Sequence, residues 1–160
     1  MKQQLRISVR DLVEFLERSG DLDSRSGRGG DAKIMQAGSR LHRKIQGRMG
    51  SGYHAEVPLK YRKEWERFSL LIEGRADGIW TEEAFTTIDE IKGTFREVDR
   101  MTEPMRVHLA QARCYAYIYS EQNQLDKAGV RMVYANLETE DVRYFTENWE
   151  WPVLKAWFDD

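Results

Sequence analysis

The sequence predicts a mixed α/β domain, a central sheet with helices packed against it. Two periodicities carry that prediction. Apolar residues recur at helical spacing from Val9 to Leu16 and from Ile34 to Met49. Apolar and polar residues alternate through Phe68, Leu70 and Ile72, and again through Phe85, Thr87, Asp89 and Ile91. The resulting order is α, α, β, β, β, α, β, β, with the chemistry-bearing residues on the central strands.

Each element has its own signals. Ser8 is placed to cap a helix through Val9, Leu12, Val13, Phe15 and Leu16, which Gly20 ends. Residues 21–31, rich in Gly, Ser, Asp and Arg, read as an exposed loop. A second helix puts Ile34, Ala37, Leu41, Ile45 and Met49 on one stripe and stops in the stretch Gly47 to Gly52. Three strands follow at 55–61, 67–80 and 84–92, the second interrupted near Gly74. The turn Thr81-Glu82-Glu83 makes the last two neighbours in an antiparallel meander. Thr102-Glu103-Pro104 starts a helix, with Pro in its first turn, that runs to about Ser120. Residues 130–136 and 142–146 form a hairpin, and Trp149 to Phe158 opens a terminal helix. There is no internal repeat.

Composition bounds the function. The chain has 160 residues, enough for one domain with a real core, and five Trp and seven Tyr to fill it. Net charge is only −2, so no global field argues for a polyanionic partner. The charge is uneven, however. Arg25 to Arg48 holds seven Lys or Arg against the single acid Asp31, and Glu121 to Asp160 holds nine acids against four bases. The single cysteine, Cys114, excludes a disulfide framework, a Cys-rich zinc site and a four-cysteine iron–sulfur cluster within the chain. It fits a reducing, cytoplasmic setting and reads as a buried structural thiol. No apolar run approaches the ~20 residues that span a bilayer, and the N-terminus lacks a signal-peptide apolar region. A membrane partner is therefore not expected.

One constellation carries chemistry. Asp77 closes the segment Gly74-Arg75-Ala76-Asp77, and Ile88-Asp89-Glu90-Ile91-Lys92 follows on the next strand. Residues i and i+2 of a strand share a face, so Glu90 and Lys92 project together with Ile88, opposite Asp89 and Ile91. Two carboxylates and an ammonium converging on one spot are costly unless something neutralises them. A divalent cation on a phosphate would do so. Mg²⁺ and Mn²⁺ take hard oxygen ligands, which Asp77, Glu90 and the backbone carbonyl of Ile91 can offer. Lys92 is placed to orient a water or to stabilise charge on phosphate oxygens. Gln111 and Tyr115 are i, i+4 on one helix face, and His108 and Arg113 are candidates for further phosphate contacts.

Taken singly, each residue has a plainer reading. Asp77 can be a turn residue before Gly78, Glu90 and Lys92 a charged pair on a solvated face, His42 a histidine at the edge of an apolar stripe, Gln111 a solvent-facing residue, and Tyr115 a core residue like Tyr117 and Tyr119. It is the ordered set that is specific. It resembles the PD-(D/E)xK nuclease superfamily, and within it the RecB-like branch. Asp77 matches the metal-binding aspartate and Glu90 with Lys92 the (D/E)-x-K pair. Gln111 and Tyr115, in His-Leu-Ala-Gln-Ala-Arg-Cys-Tyr, match the Gln-x-x-x-Tyr helix motif. His42, in Gly-Ser-Arg-Leu-His, matches the upstream histidine of that branch.

The resemblance implies a restriction-endonuclease-like fold and a Mg²⁺- or Mn²⁺-dependent deoxyribonuclease acting in DNA repair or recombination. Asp77, Glu90 and His42 would hold the metal, His42 hinting at manganese. Lys92 would be the base or charge stabiliser, and Gln111 and Tyr115 would touch DNA or brace the lysine. Some of Arg25, Arg28, Lys33, Arg40, Arg43 and Lys44 would line the DNA path. The opening Ser-Val-Arg-Asp-Leu-Val-Glu-Phe resembles the nuclease module at the front of some bacterial DinG-like helicases, which implies one nuclease domain over 1–160 excised from a larger helicase. No Gly-x-x-x-x-Gly-Lys-Ser/Thr segment is present, so any motor must be supplied elsewhere. Two other classes stay open: a non-catalytic DNA-binding module serving a helicase, and a protein-interaction domain that uses the tryptophan-rich end.

Overall fold

The computed structural model describes residues 3–18, 32–82 and 85–159, with the side chains of 17, 18 and 32–35 excepted. The expected Gly20 stop, the 21–31 loop, the side chains of Lys33 and Ile34, and Glu83 lie outside the described residues. Within them the order is β1 (Gln3–Ser8), α1 (Val9–Arg18), α2 (Ala32–Gly47), β2 (Tyr53–Glu64), β3 (Phe68–Glu82), β4 (Phe85–Thr94), a 3₁₀ turn (Val98–Arg100), α3 (Arg106–Asn123), β5 (Lys127–Asn136), β6 (Val142–Glu150) and α4 (Trp151–Asp159).

The long strand β3 organises the sheet. Along one edge it pairs antiparallel with β2, from Glu64↔Ser69 to Tyr53↔Trp80. Its other edge is shared. The first half takes β1 in parallel, Gln3↔Phe68 to Ser8↔Glu73. The second half takes β4 antiparallel, Gly78↔Asp89 to Glu82↔Phe85. Residues 74–77 pair with neither of those two strands. Helix α3 then carries the chain from β4 to the parallel strand β5, and β6 returns antiparallel. The result is a six-stranded mixed sheet with helices on both faces.

Strand alternation sorts the core onto those faces. Ile88, Val130 and Met132 join residues of α1, α3 and α4 in the larger apolar cluster, while Ile91, Val133 and Ala135 meet Leu41 and Ile45 of α2 in a smaller one. At about 25 cal/mol per Å² of apolar surface, each fully buried Ile or Leu contributes roughly 1.5–3 kcal/mol. The terminal aromatics cover the large cluster: Tyr117 stacks on Phe158 at 4.0 Å and on Trp151 at 5.1 Å.

The sequence reading misses β1. Only Leu5 and Ile7 alternate there, too short a pattern to announce a strand. The Ser8 cap is present all the same, its Oγ accepting the Asp11 N–H at 3.0 Å. Helix α3 also begins later than Pro104. Met105 is its extended N-cap: its carbonyl accepts the first helical bond, from the Leu109 N–H at 3.0 Å, and its own N–H is satisfied by the Tyr134 hydroxyl at 2.9 Å. Its far end is closed by Gln124 in the left-handed conformation, four residues past Ser120, whose carbonyl accepts the Gln124 N–H. Among the described residues no helix is long and apolar enough to cross a membrane.

Candidate metal-binding site

The site lies where β4 leaves β3. Pairing between them stops at Gly78↔Asp89, and the Asp77 carboxylate takes over the bond that the next ladder step would have made. Its Oδ2 accepts the Ile91 N–H at 2.7 Å. The N–H and C=O of one residue leave a strand by the same edge, so the Ile91 carbonyl faces this gap as well.

Opposite Asp77, on the other edge, stands Glu56. Its neighbours pair regularly, Ala55↔Gly78 and Val57↔Ala76, but Glu56 itself has φ +55° and drops out of the ladder. That turn of the backbone brings its carboxylate beside Asp77. From α2, Gln46 Nε2 donates to both Glu56 Oε2 and the Asp77 carbonyl, each at 2.8 Å. His42, one helical turn earlier, puts Nδ1 4.0 Å from Asp77 Oδ1. His42, Glu56 and Asp77 each offer a ligand atom within 4.8 Å of the others.

Glu90 and Lys92 sit beside this group on the α3 face. Glu90 is 3% exposed, and only its Oε2 is satisfied, by Lys92 Nζ at 3.0 Å. Its Oε1 is buried without a hydrogen-bond partner. Burial, reinforced by the Asp77 charge and opposed by Lys92, lifts the Glu90 carboxyl to a pKa of about 8. Asp77 is raised too, by burial, against the pull of the Ile91 N–H and His42. Two acids kept from ionising freely, one with an orphaned oxygen, and a nearby imidazole form a donor set of the kind that fits a hard divalent cation.

Helix α3 presents His108, Gln111 and Tyr115 along one stripe. Gln111 Oε1 accepts from Lys92 Nζ at 3.3 Å. The Tyr115 hydroxyl meets the Gln111 side chain and the Arg75 backbone, and burial lifts its pKa to about 12. The ring lies against Gly74, where an added Cβ would come within 2.7 Å of the hydroxyl. Glycine at the head of Gly74-Arg75-Ala76-Asp77 is thus a packing requirement. His108 Nδ1 is 2.9 Å from the Tyr134 hydroxyl, and burial, with Lys92 nearby, pulls its pKa down to about 4. A neutral ring there is not a cationic phosphate contact.

Arg113 is not brought to the site. Glu147 holds its guanidinium with bonds of 2.7 and 3.1 Å, and the group lies over Trp149 and Trp157. The expected phosphate contact from Arg113 is therefore replaced by a brace between α3 and β6. Glu56 is the residue the sequence reading overlooks. Cys114 is a buried thiol, its pKa raised to about 12 by burial. Between α2 and the β5–β6 turn, Arg40, Arg43 and Lys44 line an open pocket of about 550 Å³, in which Lys44 is paired to Glu140 at 2.8 Å.

No family model matches the chain, and no curated protein does. Solved structures do. The crystal structure of SSO0001 aligns with all of this chain and 76% of its own, at a TM-score of 0.59 and 17% identity. An alkaline exonuclease (LHK-Exo) from Laribacter hongkongensis aligns over 96% of this chain and 82% of its own, at a TM-score of 0.50 and 15% identity. The expected mixed sheet flanked by helices is thus the observed architecture, and over nearly its whole length the chain shares the fold of an alkaline exonuclease.

Proposed function

We propose that this domain is a metal-dependent deoxyribonuclease that hydrolyses DNA phosphodiester bonds. The observation that carries the reading is Glu90, almost wholly buried, with one carboxylate oxygen unpartnered beside Asp77. A fold does not keep such an arrangement for stability, because an unsatisfied buried polar atom costs about 1–3 kcal/mol. Functional sites are where such costs concentrate. The ordered motifs Asp77, Glu90-x-Lys92 and Gln111-x-x-x-Tyr115, and a fold shared with an exonuclease, support the same conclusion.

In this reading His42, Asp77 and Glu90, with the Ile91 carbonyl, hold Mg²⁺ or Mn²⁺. When bound, such an ion polarises a phosphate and acidifies a water. The chain's own residues do the positioning. Lys92 is held between Glu90 Oε2 and Gln111 Oε1, so its ammonium is fixed, and it serves as base or as a stabiliser of charge on phosphate oxygens. Tyr115 braces Gln111 from behind and fills the space above Gly74. Arg40 and Arg43 offer phosphate contacts along α2. The RecB-like motif order and the DinG-like opening support a role in repair or recombination beside a helicase.

The test is cleavage of labelled single- and double-stranded DNA with Mn²⁺ or Mg²⁺. Lys92→Ala is expected to lower the rate at least ~100-fold, the scale of losing one charge stabiliser, and a thermal melt checks that the variant, which leaves Glu90 Oε2 without its partner, is still folded. Equal rates in the two proteins would remove the assignment.

A further inference from the structure

We infer that Glu56 is a cation ligand of this site, making its first binding position His42–Glu56–Asp77 on the β2 side of Asp77, next to Glu90. The inference rests on the metal-dependent reading above and extends it to a residue that the (D/E)-x-K pattern does not contain.

Three observations converge. First, the carboxylate of Glu56 has the right neighbours, its oxygen lying within 4.8 Å of ligand atoms on both His42 and Asp77, whereas the oxygens of Glu90 are not part of that group. Second, the backbone is bent to place it. Glu56 has φ +55°, a region that residues other than Gly, Asn and Asp seldom adopt, at the one position of the β2–β3 ladder that faces Asp77. Backbone of this kind persists where the surroundings over-determine it, and such positions cluster at functional sites. Third, the neighbouring Glu90 Oε1 is buried and lacks a partner, which leaves a carboxyl oxygen beside Asp77 open to a further donor or cation.

The present partners of Glu56 do not compete strongly. Gln46 donates to Oε2 and leaves lone pairs free on both oxygens. Arg75 lies 3.1 Å from Oε1, but its side chain is 65% exposed, so it can swing into solvent at little cost. Gln46 bridges Glu56 to the Asp77 carbonyl and is a positioning residue, setting the distance between the two acids.

The experiment is calorimetric titration of the whole chain with Mn²⁺ alone, without DNA. Glu56→Gln is expected to weaken the tightest Mn²⁺ site at least tenfold. Glu140→Gln, at an acid that pairs with Lys44 instead, is expected to leave it unchanged. Glu56→Asn, which suits the left-handed backbone, should weaken binding in the same way, and a thermal melt in chelator shows that each variant is folded. If both Glu56 variants bind like the parent while Asp77→Asn loses binding, Glu56 is not a ligand and the metal-dependent reading stands. If the parent chain itself binds no Mn²⁺, both fall.

Discussion

Asp89 and Glu90 are adjacent on β4, point to opposite faces and are about equally buried, at 0% and 3% exposure. They are treated very differently. Both oxygens of Asp89 are taken by Arg131, at 2.8 and 2.7 Å, and that guanidinium lies over the rings of Trp80 and Tyr144. Glu90 has one lysine on one oxygen and nothing on the other. One acid is neutralised by the protein, and the other is left for something else to neutralise. In the proposed site, then, it is not burial that singles out Glu90 from Asp89 but its incomplete pairing.

Matched amide substitutions would break this contrast most directly. Asp89→Asn strands the Arg131 charge in a nearly closed setting, and the expected cost is about 3–5 kcal/mol in urea unfolding. Glu90→Gln should do the reverse. The amide still accepts from Lys92 and can donate towards Asp77, so the metal-free protein should gain roughly 1–2 kcal/mol. A loss at Glu90 as large as that at Asp89 would mean that both acids are structural.

A smaller effect sharpens the comparison on the Glu90 face. His108 is held neutral beside Lys92, with a pKa near 4 against an ordinary value near 6.5. Below about pH 6.5 the unfolded chain takes up a proton that the folded chain refuses. Stability should therefore fall as the pH drops from 6.5 towards 4 and rise again on the way back. Half-burial limits the effect to on the order of 1 kcal/mol. His108→Gln should flatten that part of the pH profile, read as urea midpoints at pH 4.5, 5.5 and 7.

Much of this site was legible in the sequence because strand and helix periods place residues without tertiary knowledge. The two-residue period put Glu90 and Lys92 on one face and Asp89 on the other. The helical period put Gln111 and Tyr115 on one face, and the structure adds His108 to that stripe. The same arithmetic argues against Arg113, which lies two residues, or about 200°, from Gln111 and so faces β6 instead. Glu56 was illegible for a different reason. Its importance comes from a register, with Ala55↔Gly78 and Val57↔Ala76 on either side, and from a backbone torsion that no local pattern announces. Strand β1 escaped because its value lies in completing an edge of β3, a partner more than sixty positions away.

That shared edge has a consequence for access. Two strands of opposite direction meet end to end along β3, and between their ends the sheet is parted for the width of residues 74–77. The Tyr115 hydroxyl and the Asp77 carboxylate supply the bonds that an absent strand would have made. The doorway is thus woven into the sheet itself. Closing it would take a re-pairing of β1 or β4 along β3 rather than a shift of side chains.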